Sequence, residues 1–122
     1  MPAAEFDQEI IIEIDPEAVE AAREKLKSYG KRVIIREGSY TEINRFLLEM
    51  GFRDALGILL DLGPSSYQLE NPARGFSLKH PGPLDMRMNP KEGKPLSGFL
   101  RELDATSLEL SLIHISEPTR PY

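Results

Sequence analysis

Cysteine is absent from the 122 residues of this chain. That excludes a disulfide framework and any thiolate metal site, and nothing else in the sequence indicates a metal. No apolar run reaches the roughly 20 residues of a membrane-spanning helix, so no membrane partner is expected. The opening residues, MPAAEFDQE, are acidic and carry neither the basic nor the apolar region of a secretory signal. A glycine-rich loop is missing too. Phosphate- and cofactor-binding α/β folds place one after their first strand, with an acidic residue about one βα unit later. Here no G-x-G precedes the first strand-like run. Either this is not a cofactor fold, or the chain begins inside one.

What is present fits one small globular domain: 40% hydrophobic and 29% charged residues. The net charge of −5 argues at first sight against a nucleic-acid partner, but it is unevenly spread. Residues 1–71 carry 14 acidic and 8 basic side chains. Residues 72–101 carry Arg74, Lys79, Arg87, Lys91, Lys94 and Arg101 against Asp85 and Glu92, a net charge of +4. A basic segment on an acidic scaffold reads either as a site for an anionic partner or as a solvated loop with ordinary lysines.

Residues 10–14 (IIIEI) read as a strand. Asp15 is suited to cap the following helix and Pro16 to its first position. Val19, Ala22 and Leu26 continue at helical spacing to Tyr29, with Gly30 at the end. Residues 32–36 (RVIIR) read as a second strand. Thr41 is a candidate cap for a second helix that runs through Ile43, Phe46, Leu47 and Met50 to Gly51. Residues 56–62 (LGILLDL) read as a third strand, apolar enough to be covered on both faces. Strand–helix alternation with short connections predicts parallel βαβ units in a doubly wound α/β sheet, where ligands bind beyond the carboxyl ends of the strands. Three features fall at such ends: Glu13 with Asp15, the Gly38-Ser39-Tyr40 turn, and Asp61. Singly, each has a plain structural reading: a polar strand residue, a helix cap, a surface aromatic. Three at successive strand ends point to a ligand site.

Beyond Asp61 come some two dozen residues with almost no periodicity. So long an irregular segment in a compact domain usually carries function. It holds LLDLGPSSYQL, then RGFSL, then GPLDMRM. In that order and spacing these resemble the signature of the bacterial MraW/RsmH methyltransferase family. IEIDPEA and EGSY are similar to the family's earlier strand-end motifs, and the resemblance runs from about residue 9 to about residue 98.

The resemblance implies an α/β fold: a partial class I (Rossmann-like) methyltransferase sheet lacking its first strand and later strands, followed by the long signature loop. It implies S-adenosyl-L-methionine as cofactor and methyl transfer to the exocyclic amine of a cytidine in small-subunit ribosomal RNA. The implied partner is that RNA or the assembled small subunit. The implied compartment is the bacterial cytoplasm or, for an organelle-targeted relative, the mitochondrial matrix or a plastid. Carried over by position, Glu13 matches the acid that holds the cofactor ribose; a carboxylate can accept two hydrogen bonds from a diol. Tyr40 matches an aromatic beside the adenine, Asp61 the acid at the end of the fourth strand, and Gln68 the glutamine that follows it. Glu13 and Tyr40 stand where the family commonly has Asp and Phe, and Pro64 and Tyr67 replace other loop residues. Ser65, Ser66, Arg74, Gly75, Phe76, Asp85 and Arg87 match motif positions without a role to carry over.

The catalytic residue is open, with Asp61 as candidate: at a strand end it is placed to meet the methionine end of the cofactor or the target amine. Acceptors aimed at that amine would favour its developing positive charge, although Asp61-Leu62-Gly63-Pro64 matches the D/N-P-P-aromatic motif of amino-methyltransferases only in part. Arg74, Lys79 and Arg87 are candidates for RNA phosphates, while Arg74 and Arg87 suit internal pairing equally well. The methyltransferase domain is expected over residues 1–104. SLELSLIHIS alternates as a strand would, yet SLIHISEPTRPY also resembles a translated sequencing adapter. Residues 105–122 are therefore expected to be a non-native tail, and His114 is not read as a ligand. The fragment so described is expected to be inactive by itself. The alternative is a short, non-catalytic RNA-binding protein derived from the same fold.

Overall fold

The computed structural model describes residues 8–116. They divide into two compact units. One runs through Gly63 and takes in Met88–Pro90; the other comprises Pro64–Arg87 and the chain from Lys91 onward.

The first unit is a βαβα arrangement. Strand β1 (Glu9–Glu13) leads into helix α1 (Pro16–Leu26), a 3-10 segment (Lys27–Arg32) and strand β2 (Val33–Glu37). The two strands are parallel, in register from Glu9 opposite Val33 to Glu13 opposite Glu37. Asp15 caps α1 as its sequence position predicts, its Oδ1 accepting from the Glu17 N–H at 3.0 Å, with Pro16 in the first turn. Gly30 takes φ 56°, a conformation open to glycine, and turns the chain from the 3-10 segment into β2. A 3-10 turn (Tyr40–Glu42) then opens helix α2 (Ile43–Glu49).

Among the described residues the buried apolar side chains are Val19 on α1 and Phe46 on α2. The Phe46 ring lies against Gly38, where a Cβ would stand 2.7 Å from a ring carbon. That close approach explains glycine at the end of β2. The isoleucines of both strands are only half-buried. Parallel sheets are ordinarily covered on both faces, so this sheet is incompletely packed.

Residues 56–62 do not form the expected strand. Residues 52–65 carry neither strand nor helix, and among the described residues the sheet has two strands, β1 and β2. Leu56, Ile58, Leu59, Leu60 and Leu62 are exposed. The physical reason is that a strand needs a neighbour to complete its ladder: among the described residues none pairs with this run, so its backbone stays irregular.

The second unit holds short helices in a self-bonded loop. Helix α3 (Ser66–Glu70) is followed by a 3-10 turn (Pro72–Arg74), helix α4 (Leu96–Glu102) and helix α5 (Ala105–Ser116). The alternation that suggested a strand at 107–116 gives way to α5. Asp104 caps it, accepting from the Ser107 N–H at 2.7 Å, and Leu108 and Leu112 are also spaced i, i+4. With a cap and an Ala-Leu-Glu-containing run, the helical period outcompetes the period of two. The His114 side chain and the tail residues 117–122 lie outside the described residues.

Candidate functional site

Adjacent parallel strands bring two of the matched features together at their carboxyl ends. Glu13 closes β1, and one carboxylate oxygen accepts from the Asp15 N–H at 2.9 Å. The other oxygen makes no hydrogen bond among the described residues. The Glu13 carbonyl accepts from the Gly38 N–H at 2.9 Å, tying the end of β1 to the turn that follows β2. On that turn Ser39 and Glu42 form a reciprocal cap. Ser39 Oγ accepts from the Thr41 N–H at 3.3 Å, and Glu42 accepts from the Ser39 N–H at 3.2 Å. The cap is therefore Ser39 rather than the expected Thr41. This fixed turn presents Tyr40 with half its surface open.

The site therefore offers a half-buried carboxylate with one oxygen anchored and one available, on a strand end bonded through its backbone to the turn that carries an exposed aromatic ring. The carboxylate can accept hydrogen bonds from a diol, and the ring offers an apolar face to a flat heterocycle. Asp61 lies in the irregular segment, exposed, with no hydrogen bond or ion pair among the described residues. It belongs to the first unit but to no element of its sheet.

Gln68 belongs to the second unit and is 3% exposed. Its side-chain oxygen accepts from the Ser65 N–H at 3.0 Å, while Ser65 Oγ accepts from the Gln68 N–H at 3.2 Å. Ser-x-x-Gln here is a capping box that starts α3.

The remainder of that loop is built on two arginines. Arg74 is buried, and its Nη2 donates to the Arg87 carbonyl at 3.2 Å. The Arg74 carbonyl accepts from the Met86 N–H at 3.1 Å. Arg87 grips Asp85 with two parallel bonds of 2.8 Å, Nε to Oδ1 and Nη2 to Oδ2. The side-chain bonds from Arg87 hold the Asp85 carboxyl down at about 2, below the usual carboxylate range. Met86, between them, takes φ 58°, a backbone state costly for a side-chain-bearing residue. Gly75 has φ 80° and faces the Pro83 carbonyl, where a Cβ would come within 2.5 Å. Only glycine fits. Lys79 is exposed. The internal pairing foreseen for Arg74 and Arg87 is thus the arrangement present in this unit.

Comparison with known proteins decides the family. The profile of the MraW methylase family matches residues 3–119. This chain belongs to that family. A Ribosomal RNA small subunit methyltransferase H from Syntrophotalea carbinolica is 42% identical over 94 residues, covering 77% of this chain and 30% of the relative. Its counterpart from Thermomicrobium roseum is 40% identical over 106 residues, covering 87% of this chain and 32% of the relative. One from Prochlorococcus marinus is 37% identical over 106 residues, covering 87% and 33%. The chain spans about a third of the length of the curated relatives it matches.

Within this MraW-family chain, Glu13, Tyr40 and Asp61 fall in the first unit and Gln68 in the second. Sequence reasoning missed both reciprocal caps. The signal was present, since Ser39-Tyr40-Thr41-Glu42 and Ser65-Ser66-Tyr67-Gln68 each carry the S-x-x-E/Q pattern that marks a helix start.

Proposed function

We propose that this chain is part of a class I, S-adenosyl-L-methionine-dependent methyltransferase that modifies the exocyclic amine of a cytidine in small-subunit ribosomal RNA. Family membership and the relatives' names support the reaction and the substrate class. The observation that carries the site is Glu13: a strand-end carboxylate anchored through one oxygen, with the other available beside the Tyr40 turn. Glu13 would hold the ribose hydroxyls and Tyr40 the adenine. Asp61 is assigned to the methionine end or the target amine, and Gln68 to the loop that follows.

When bound, the cofactor supplies an electrophilic methyl group on a sulfonium. The work left to the chain is positional, because an in-line displacement is accelerated mainly by holding donor and acceptor in a near-attack geometry. The acceptor amine is a weak nucleophile, its lone pair conjugated with the ring. An unpaired carboxylate such as Asp61 can accept from its N–H groups and favour the charge that develops. Lys79, exposed on the loop, is proposed to meet RNA phosphate. Arg74 and Arg87 are proposed to act by fixing the loop that presents it. The working compartment is the one that holds the small subunit, the bacterial cytoplasm.

The test replaces the matching segment of the Syntrophotalea carbinolica relative with residues 9–98 of this chain and measures cofactor binding by calorimetry. The chimera is expected to bind S-adenosyl-L-methionine, Glu13→Asp to keep most of the affinity, and Glu13→Ala to lose tenfold or more, as for loss of a charge-assisted hydrogen bond. A folded chimera whose affinity is indifferent to Glu13→Ala overturns the assignment.

A further inference from the structure

A cleft lies wholly within the second unit, lined by α3 and by the segment 76–80. Its volume is about 470 Å³, within the roughly 300–1,000 Å³ of small-ligand sites. Leu69, Phe76 and Leu78 supply its apolar surface, and Glu70, Lys79 and His80 its polar rim. Both walls are braced from outside the cleft. The Ser65–Gln68 capping box holds α3, and Phe76 follows Gly75, which packs against the Pro83 carbonyl. Ser77 Oγ accepts from the Lys79 and His80 N–H groups at 3.3 and 3.1 Å, which fixes the backbone of the rim. The side-chain heads are uncommitted. Glu70, Lys79 and His80 are exposed, and their side chains form no hydrogen bond or ion pair among the described residues.

Ring, carboxylate and cation around one cleft are what an unpaired nucleotide needs. A base stacks on an aromatic face, a carboxylate accepts from an exocyclic amine, and a cation meets the phosphate. An aliphatic ligand would use the leucines and leave Glu70 and Lys79 without a role. We infer that this cleft takes one unpaired nucleotide of single-stranded RNA whose base carries an exocyclic amine. The base lies on Phe76, its amine meets Glu70, and its phosphate meets Lys79. The kind of polymer rests on the reading of the chain as part of an RNA-modifying enzyme. The contacts use neither Glu13, Tyr40 nor Asp61, so the nucleotide binds without S-adenosyl-L-methionine.

The test uses the full chain and three fluorescein-labelled RNA hexamers, hexacytidylate, hexaadenylate and hexauridylate, titrated by anisotropy with no cofactor present. The net charge of −5 keeps unspecific binding of RNA low. The two amine-bearing hexamers are expected to bind about fivefold or more tightly than hexauridylate. Phe76→Leu is expected to lose about tenfold on all three, as for one stacked base, while Phe76→Tyr keeps the affinity. Glu70→Ala is expected to abolish the preference for the amine, and Lys79→Gln to weaken all three alike. Ultraviolet cross-links to hexacytidylate, mapped by mass spectrometry, are expected within residues 76–80. A chain that binds none of the hexamers overturns the inference. So does binding whose strength and preference are unmoved by Phe76→Leu and Glu70→Ala. Either result leaves the calorimetric test of Glu13 standing, and a failure at Glu13 leaves this binding standing.

Discussion

Asp85 and Arg87 show how one residue pair organises a loop of some thirty residues. Two bonds of 2.8 Å in a fork geometry fix the guanidinium, which also reaches the Gly93 carbonyl at 3.3 Å. The backbone of Asp85 meanwhile accepts from the Leu96 N–H at 2.8 Å, at the start of α4. Because the folded-state carboxyl titrates at about 2, below its ordinary value of 3.8, its stabilisation is complete above pH 4 and is lost as pH falls through about 2. Carboxyl chemical shifts followed by NMR are expected to give Asp85 a midpoint near 2, and Arg87→Met to return it toward 3.8. An unchanged midpoint in Arg87→Met would remove the pair as the cause. The sequence made Asp-Met-Arg visible as a pair suited to internal bonding, but it did not show that the intervening Met86 would carry φ 58°. That strain follows from bonds made to residues far along the chain, such as Arg74.

At the scale of elements, short-range chemistry was legible and long-range partnership was not. The Asp15–Pro16 start of α1 and the strand at 33–37 follow from local patterns, within a residue of their expected positions. The Ser39 and Ser65 caps were equally local and were simply missed. The third strand failed for a different reason: a strand exists only with a neighbour, and periodicity within 56–62 says nothing about whether one is there. The period of two at Leu108, Leu110 and Leu112 was likewise outweighed by the Asp104 cap. Helix α3 has only five residues, so it depends on its capping box rather than on propagation. Ser65→Ala is expected to cost about 1 kcal/mol in the chimera's unfolding free energy, measured by urea denaturation. Gln68→Ala removes the reciprocal half and is expected to add less than its own cost when combined with Ser65→Ala. Strict additivity would mean that the two bonds do not act together.

For the molecule as a whole, the basic stretch 72–101 is less cationic in effect than its composition suggests. Arg87 is matched by Asp85, Lys94 bonds Glu102 at 2.5 Å, and Arg74 is buried. Lys79 stands outside these pairs. In the chimera, Lys79→Gln is therefore expected to lower the salt slope of RNA binding by about 1, as for one phosphate contact. A slope unaltered by that substitution would take Lys79 out of the interface.

The segment's central assignment is to RNA methyl transfer, and mapping the transferred methyl tests it most directly. The chimera is given isotopically labelled S-adenosyl-L-methionine and small subunits lacking the modification, and the RNA is digested and read by mass spectrometry. The account predicts label on the exocyclic amine of a single cytidine, lost or strongly reduced in Asp61→Asn. A folded, cofactor-binding chimera that leaves the RNA unlabelled, or that labels it elsewhere, would contradict it.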